Sequence, residues 1–472
     1  MSLLHCPDND GKTIAATLAG WLVRLDASTI PGEAVTAARR ALIDVAGVMH
    51  AGLDMPLARL VREEAIQESA SGPASVPGTG LRFAPVVAAR VNSTAAHVLD
   101  FDANFNRGMV FGPAVLFPAL LALGEAENTD GSTVLNAFAI GTEVCRTLAE
   151  SLSPRPYTKS RDSLFYLGWF NTGVLGPIGV AAACGWMMKL PAEQMRNAIA
   201  IAAVQACGLR IGVGSDMKPL MAARASETGL RAALLARRGV LAPADAMEGH
   251  RGFIQVVNGG KWTPDAFDAL GSFQDAGPSF KLYPACSSVQ AAAEALDAIL
   301  QQSGIAGEQV ETVTCEVTNH IASNLAFDDP QNVTQAQFSI SYALGCILAD
   351  GEFSYRHLTA EKLASPAIRS AMTKISMQAT LDFDDEVLER ASPEATRVIV
   401  RTSQGAVHDM RLNASTGKPV NPMSDEMLER KFLSNTRDRL GMPAAKALLA
   451  RLNGIDQIGN LQDLFSRAGE PA

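Results

Sequence analysis

The chain has 472 residues, 47% of them hydrophobic and 19% charged, with 39 glycines and 24 prolines scattered along its length. This composition describes a globular chain of two or three domains with ample material for a large core, and it excludes disorder as the main state. Forty basic against 49 acidic side chains give a net charge of -9, so no chain-wide basic field draws nucleic acid or anionic lipid, and an anionic small-molecule site needs its own local cations.

Near the N-terminus, Asp8, Asp10 and Lys12 precede the first apolar stretch, unlike the cationic start of a secretory signal. The apolar periodicity then predicts helices over Ile14 to Leu25, Glu33 to Ala51 and Leu57 to Ser69, with Ser28, Thr29, Pro31 and Glu33 resembling a helix start. Alanine-rich helical runs follow at Pro85 to Ala96, Ala114 to Glu127, Ser132 to Leu152, Gly173 to Lys189, Ala192 to Cys207 and Arg224 to Arg238. Thin side chains let helices pack closely, which suits a compact multi-helix domain. Leu164 to Met188 carries no charge, but its five glycines, Pro177, Asn171 and Thr172 favour a buried helix with its lead-in loop over a membrane span.

From about Trp262 the texture changes. Val310 to Thr318, Arg397 to Thr402 and Ala406 to Leu412 alternate or carry β-branched residues, and Gln404-Gly405 between the last two is spaced like a hairpin turn. Apolar helices at Ser288 to Gln301 and Ser339 to Leu348 lie among them. The fold class is therefore mainly α: a large all-helical domain from residues 1–265 and 405–472, and a smaller α+β lid domain at 266–404, with the Ala406 strand a candidate last member. Ser424 to Leu440 and Pro443 to Leu452 return the chain to helix.

Seven cysteines stand far apart without a C-x-x-C pair, and seven histidines form no H-x-x-x-H pair. They read as reduced thiols of a cytoplasmic protein without a zinc site. Walker A, G-x-S-x-G and G-x-G-x-x-G are absent, so a nucleotide enzyme has no support.

Four compact segments mix glycine, proline and ionisable residues between helices, where loops carry function. They are His97 to Asn104, Gly214 to Pro219, Lys281 to Cys286 and Gly417 to Pro422. Taken singly each has a bland reading: Asp100 and Asn104 as turn caps, Lys218 and Lys281 as solvated loop lysines, Tyr283 as a core aromatic with a wet hydroxyl. In this order, however, they resemble the MmgE/PrpD family, which includes 2-methylcitrate dehydratase, cis-aconitate decarboxylase and iminodisuccinate epimerase. The resemblance runs from Ala41-Leu-Ile-Asp44-Val-Ala-Gly47 through Ala95-Ala96-His97-Val-Leu-Asp100-Phe-Asp102 and Gly214 to Pro219. It continues through Glu248 to Phe253, Lys281 to Cys286, Gln337 to Ile340 with Tyr342-Ala343, and Gly417 to Pro422 before Lys431-Phe432.

The resemblance implies a homodimer of two-domain subunits with the site in the cleft beneath the lid. It implies no metal or nucleotide cofactor, no nucleic-acid or membrane partner, and lyase chemistry beginning with proton abstraction next to a carboxylate of a small di- or tricarboxylate. An epimerase is the first alternative and a non-catalytic carboxylate-binding relative the second. Lys218 and Lys281 match the family's site lysines, Arg224 a carboxylate-clamping arginine, and Asp100 and Asn104 residues lining the cleft. Tyr342 matches a lid tyrosine, and Tyr166 resembles a tyrosine found near the site in the epimerase branch and is a candidate base where neighbouring cations lower its pKa. Tyr283 is a further candidate substrate contact.

The departures concern histidine. Where the family has imidazoles, this chain has Phe111, Phe170, Met221 and Gln290. Phe111 and Phe170 then become apolar substrate contacts, and the proton work falls to tyrosine or lysine.

Overall fold

The computed structural model describes residues 13–105, 110–153, 163–274, 277–381 and 393–465. Cys6 and the Asp8 to Lys12 stretch lie outside them.

The helical domain opens with α1 (Ile14–Arg24), α2 (Gly32–Gly52) and α3 (Pro56–Glu68). A short hairpin follows, β1 (Ala74–Val76) with β2 (Leu81–Phe83), which the apolar periodicity does not predict. Then come α4 (Pro85–His97), α5 (Gly112–Glu127), α6 (Gly131–Leu152), α7 (Asn171–Met187), α8 (Ala192–Gln205), α9 (Met217–Arg237) and α10 (Phe253–Asn258). Local chemistry sets the ends. Thr13 accepts from Ala16 N, Asp130 from Thr133 N, and proline stands in the first turn of α3, α4 and α5. The Ser28-Thr29 pair does not start α2: it forms a single turn capped by Asp26, and the helix begins after Pro31.

α7 runs through the middle, buried from Thr172 to Gly185 and packed against α6, α8 and α9. Glycines set that spacing. A Cβ on Gly179 would meet Cys145 Sγ of α6, and one on Gly229 would meet Val180 of α7. No single helix among the described residues is long and apolar enough to cross a membrane.

The lid contains α11 (Ser287–Ser303), β3 (Val310–Val317), α12 (Asn319–Asn324), α13 (Val333–Ala336), α14 (Ile340–Asp350), α15 (Ala360–Leu363), α16 (Pro366–Met372), β4 (Ile375–Gln378), β5 (Thr396–Thr402) and β6 (Val407–Leu412). The sheet order is β4-β3-β5-β6, with β3 parallel to β4 and the other pairs antiparallel. β5 alternates buried and less buried positions, as a strand covered on one face does, and α11 supplies that cover. Because β6 pairs with β5 from Val407 to Leu412, the lid runs past the boundary expected at residue 404.

The chain then returns to the helical domain as α17 (Asp425–Leu440) and α18 (Met442–Asn453), both packed on α2. A buried ion pair pins this return. Lys431 Nζ lies 2.6 Å from Asp44 Oδ1 and donates to the carbonyl of Phe101 at 2.8 Å.

Four of the six described cysteines are buried free thiols, as expected, but Cys207 is exposed and Cys286 only partly buried.

Candidate functional site

A cavity of about 100 Å³ lies between the two domains, lined by Asp100, Asn104, Phe111, Phe170 and Lys218 from the helical side and by Cys286, Asn324, Phe338 and Glu394 from the lid. Its walls are made by helix starts. Phe111 and Phe170 are the N-caps of α5 and α7, Lys218 stands in the first turn of α9, and Cys286 is the N-cap of α11. None of these four ends has a side-chain cap, so four partial positive charges border one small space.

On the helical side, Asp100 is 1% exposed and follows the end of α4 in a left-handed conformation, φ 48°. A non-glycine residue there is strained, and surrounding contacts must hold it. Two buried lysines do so. Lys281 Nζ lies 2.7 Å from Asp100 Oδ1 and donates to the Asp100 carbonyl at 2.6 Å; Lys218 Nζ lies 2.9 Å from the same Oδ1. Burial opposes the charge on Asp100, but Lys218 and Lys281 outweigh it and hold the carboxyl well below its ordinary range.

The lysines part ways. Burial lowers the pKa of Lys218, and the neighbouring Lys281 charge adds to that; Asp100 offsets only part. For Lys281 burial acts in the same direction, but Asp100 and Asp102 overcome it and raise the pKa. The positive end of α9 further disfavours an ammonium at Lys218.

Behind Lys218 lies a buried relay. His97 Nε2 is 3.0 Å from Lys218 Nζ, and His97 Nδ1 is 2.9 and 3.0 Å from the two oxygens of Asp102. An ionised Asp102 only accepts, which puts the imidazole proton on Nδ1 and leaves Nε2 to accept from Lys218. Burial lowers the pKa of His97, and Phe111 packs 4.5 Å from its ring. His97, Asp100 and Asp102 also form a trio with metal-like spacing among the described residues. Asp100 Oδ1 and both His97 nitrogens are already committed to two ammonium groups and to Asp102, so the donor set suits a proton network better than a cation.

On the lid side, Lys418 Nζ pairs with Glu394 Oε2 at 2.6 Å, and Ser288 donates to Glu394 Oε1 at 3.1 Å. Arg210 lines the cavity, donates to Asn324 Oδ1 at 2.9 Å and lies 3.7 Å from the centre of the Phe165 ring. Asp100 Oδ2, Asn104 Oδ1 and Ser287 Oγ are buried without a hydrogen-bond partner among the described residues, and all three residues line the cavity. Buried acceptors of this kind are costly unless a ligand or water answers them.

Of the residues singled out in the sequence, Asp100, Asn104, Phe111, Phe170 and Lys218 meet at this cavity, with Lys281 directly behind Asp100. Four others stand elsewhere. Arg224 is 69% exposed and pairs with Glu227 at 3.1 Å, because it lies nearly two turns along α9 from Lys218 on the outward face. Tyr342 is a core residue of the lid: its hydroxyl donates to the His357 carbonyl at 2.5 Å, and burial raises its pKa. Tyr283 is outside the lining and burial raises its pKa as well. Tyr166 is half-buried beside Phe165, again outside the lining.

Met221 and Gln290, which the resemblance sets where the family has histidine, are not cavity residues either. Gln290 staples the Lys281 loop, accepting from the N–H groups of Leu282 and Tyr283 at 2.9 and 3.0 Å. Sequence reasoning missed Arg210, Asn324, Phe338, Glu394 and the His97–Asp102 dyad. Only the last had a local signal, the His-x-x-Asp-x-Asp spacing.

A family model described as the MmgE/PrpD N-terminal domain matches residues 16–265, and one described as the MmgE/PrpD C-terminal domain matches residues 283–453. The cis-aconitate decarboxylase of Homo sapiens is 24% identical over 469 residues, covering 96% of this chain and 92% of its own length. The cis-aconitate decarboxylase of Mus musculus is 23% identical, with 95% and 91% covered, and that of Aspergillus terreus 21%, with 97% and 96% covered.

Proposed function

The chain belongs to the MmgE/PrpD family, and from that membership we propose that it is a cofactor-independent lyase that removes carbon dioxide from a small carboxylate bearing an apolar arm. The observation that carries this reading is the pair of buried lysines sharing Asp100 at the floor of a cavity ringed by four uncapped helix starts. That arrangement favours anions and the charge they develop. Decarboxylation is preferred to dehydration because the curated relatives are named for it.

In this reading Arg210 and the helix starts hold carboxylate oxygens, and Phe165, Trp169 and Phe338 receive the apolar arm. As the bond to the departing carboxylate breaks, its electron pair passes to carbon and onward into a conjugated carboxylate. The Lys218 ammonium then delivers a proton to that carbon and recovers one from solvent, for which a depressed pKa makes it the better acid. Asp100 and Lys281 fix its position. An interior cavity of about 150 Å³ holds a benzene, so the substrate is small or the lid parts to admit it.

Proton NMR in deuterated buffer with cis-aconitate, 2-methylcitrate, citrate and alkyl-substituted succinates tests the proposal. Loss of carbon dioxide with deuterium placed on the product carbon is the expected result. Thermal stabilisation by these acids with neither product nor exchange would overturn it in favour of a binding protein.

A further inference from the structure

Beyond this reading, we propose that Lys218 is also an amine nucleophile, forming a covalent imine with the carbonyl of a small oxo acid that enters the cavity. Such chemistry needs an unprotonated amine, desolvated and close to a second cation. Lys218 is desolvated and stands beside a second cation, and both disfavour its charged form. Its side chain is 5% exposed, and its nitrogen looks onto three phenyl faces, 4.3 Å from the centre of Phe111, 5.6 Å from Phe338 and 6.0 Å from Phe170. These faces attract a cation, but less strongly than the water they displace. The second cation is Lys281, whose nitrogen is at most 5.6 Å away, the sum of the two contacts to Asp100 Oδ1. The start of α9 adds partial positive charge at the same point.

The His97–Asp102 dyad gives the displaced proton a destination. Lys218 passes one proton to His97 Nε2 along the 3.0 Å contact, and Asp102 stabilises the imidazolium through Nδ1–H. The freed lone pair turns about the terminal C–N bond and attacks the carbonyl carbon, and the carbonyl π pair moves to oxygen, which takes the first of the two amine hydrogens. To Asp100 Oδ2, an acceptor with no partner among the described residues, the resulting carbinolamine donates its hydroxyl. That oxygen leaves as water with the two amine hydrogens, and His97 returns its proton to give the iminium. Where the oxo acid is a 3-oxo acid, the bond to its carboxylate breaks, carbon dioxide leaves, and the electron pair is held as an enamine. Protonation at carbon and hydrolysis restore Lys218.

This proposal rests on the setting of one amine and stands apart from the lyase reading. The full-length protein is incubated with sodium cyanoborohydride and either acetoacetate or 2-oxobutanoate, then digested and mapped by mass spectrometry. The expected adduct, for 2-oxobutanoate the probe's mass less one oxygen and for acetoacetate that mass less carbon dioxide as well, appears on the Lys218 peptide at about neutral pH, at least about tenfold above the exposed Lys189 and Lys446. Labelling of Lys218 should reach half its maximum at a lower pH than labelling of those lysines. Lys218→Arg should lose the adduct, and His97→Gln should move the half-labelling pH of Lys218 upward, a shift that a purely structural role for His97 does not produce. Equal labelling of Lys218 and the exposed lysines, or a shared half-labelling pH, overturns the proposal using the wild-type protein alone. Carbon dioxide loss in the deuterium assay without trapping would leave the lyase reading standing and remove this one.

Discussion

Replacing Asp100 by asparagine keeps the shape of the site and removes the charge that holds two buried ammonium groups. Lys281 bears the larger consequence, because Asp100 first and Asp102 second are what keep it charged against burial. Without Asp100 its escape is to fold as the neutral amine, which costs about 1.4 kcal/mol for each pH unit below the unfolded value near 10.4. That sets a ceiling of about 4–5 kcal/mol at pH 7 and about 2 kcal/mol at pH 9, in keeping with the ~3–5 kcal/mol lost when one partner of a buried pair is removed. The sign runs one way on the alkaline side. In the wild type the raised pKa of Lys281 contributes stability below about 10.4 that is lost only above its folded value, so the deficit of Asp100→Asn shrinks as pH rises through neutrality. Below the ordinary carboxylate range near 3.9 the deficit stops growing, since the wild type then loses the stability from the depressed Asp100 pKa as pH falls through its folded value. For a chain of this length about 1 kcal/mol corresponds to about 1 °C in Tm. Thermal melts should therefore show a drop of about 4–5 °C at pH 7 and about 2 °C at pH 9. A gap that stays constant or widens between those pH values would refute this account of the Lys281–Asp100 pair.

Two further substitutions separate the cavity from its surroundings. Arg210→Ala should lower kcat/KM by about 10- to 100-fold, mostly through KM, because a charge-assisted contact to a carboxylate is worth about 1.5–3 kcal/mol; Arg224→Ala, on the exposed face of α9, should stay within about twofold. Steady-state kinetics on the substrate found in the deuterium assay decides this, and the reverse ranking restores Arg224 as the clamp. Tyr342→Phe leaves the His357 carbonyl without its buried donor and should cost about 1–3 kcal/mol of stability while turnover per folded molecule is unchanged; a large fall in kcat with an unaltered Tm would return Tyr342 to the site.

Much of the fold was legible because it is written locally. The helices carry 3.6-residue apolar periodicity and recognisable ends, and β5 with β6 carries alternation around a Gln404-Gly405 turn where Gly405 takes φ 84°. What escaped was short or set by packing: the β1–β2 hairpin, β4, and the early start of α9. The last matters most. The Gly214 to Pro219 segment reads as a loop because of its glycine and proline, yet α9 begins at Met217, and proline is tolerated in a first turn. Lys218 is therefore a helix-start lysine beneath a lid, and Arg224 turns outward by helical geometry. The site's decisive contacts were illegible for a different reason: Lys218 meets His97 from 121 residues away, and Lys281 meets Asp100 from 181. No spacing rule reaches that far.

The histidine replacements also divide by geometry. Gln290 holds backbone and Met221 stands off the cavity, so neither records a change in its lining. Phe111 and Phe170 do, and what they face is Lys218 and His97. An imidazole at either place would offer a donor or acceptor to substrate and an alternative partner to the lysine. Phenyl rings offer neither; they exclude water from the amine and stand against the His97 imidazole. The imidazole of His97 stands behind the lysine, 3.0 Å from its nitrogen. Under the proposed lyase reading the proton reaches the substrate through Lys218, and the environment of that nitrogen then sets how the activity varies with pH.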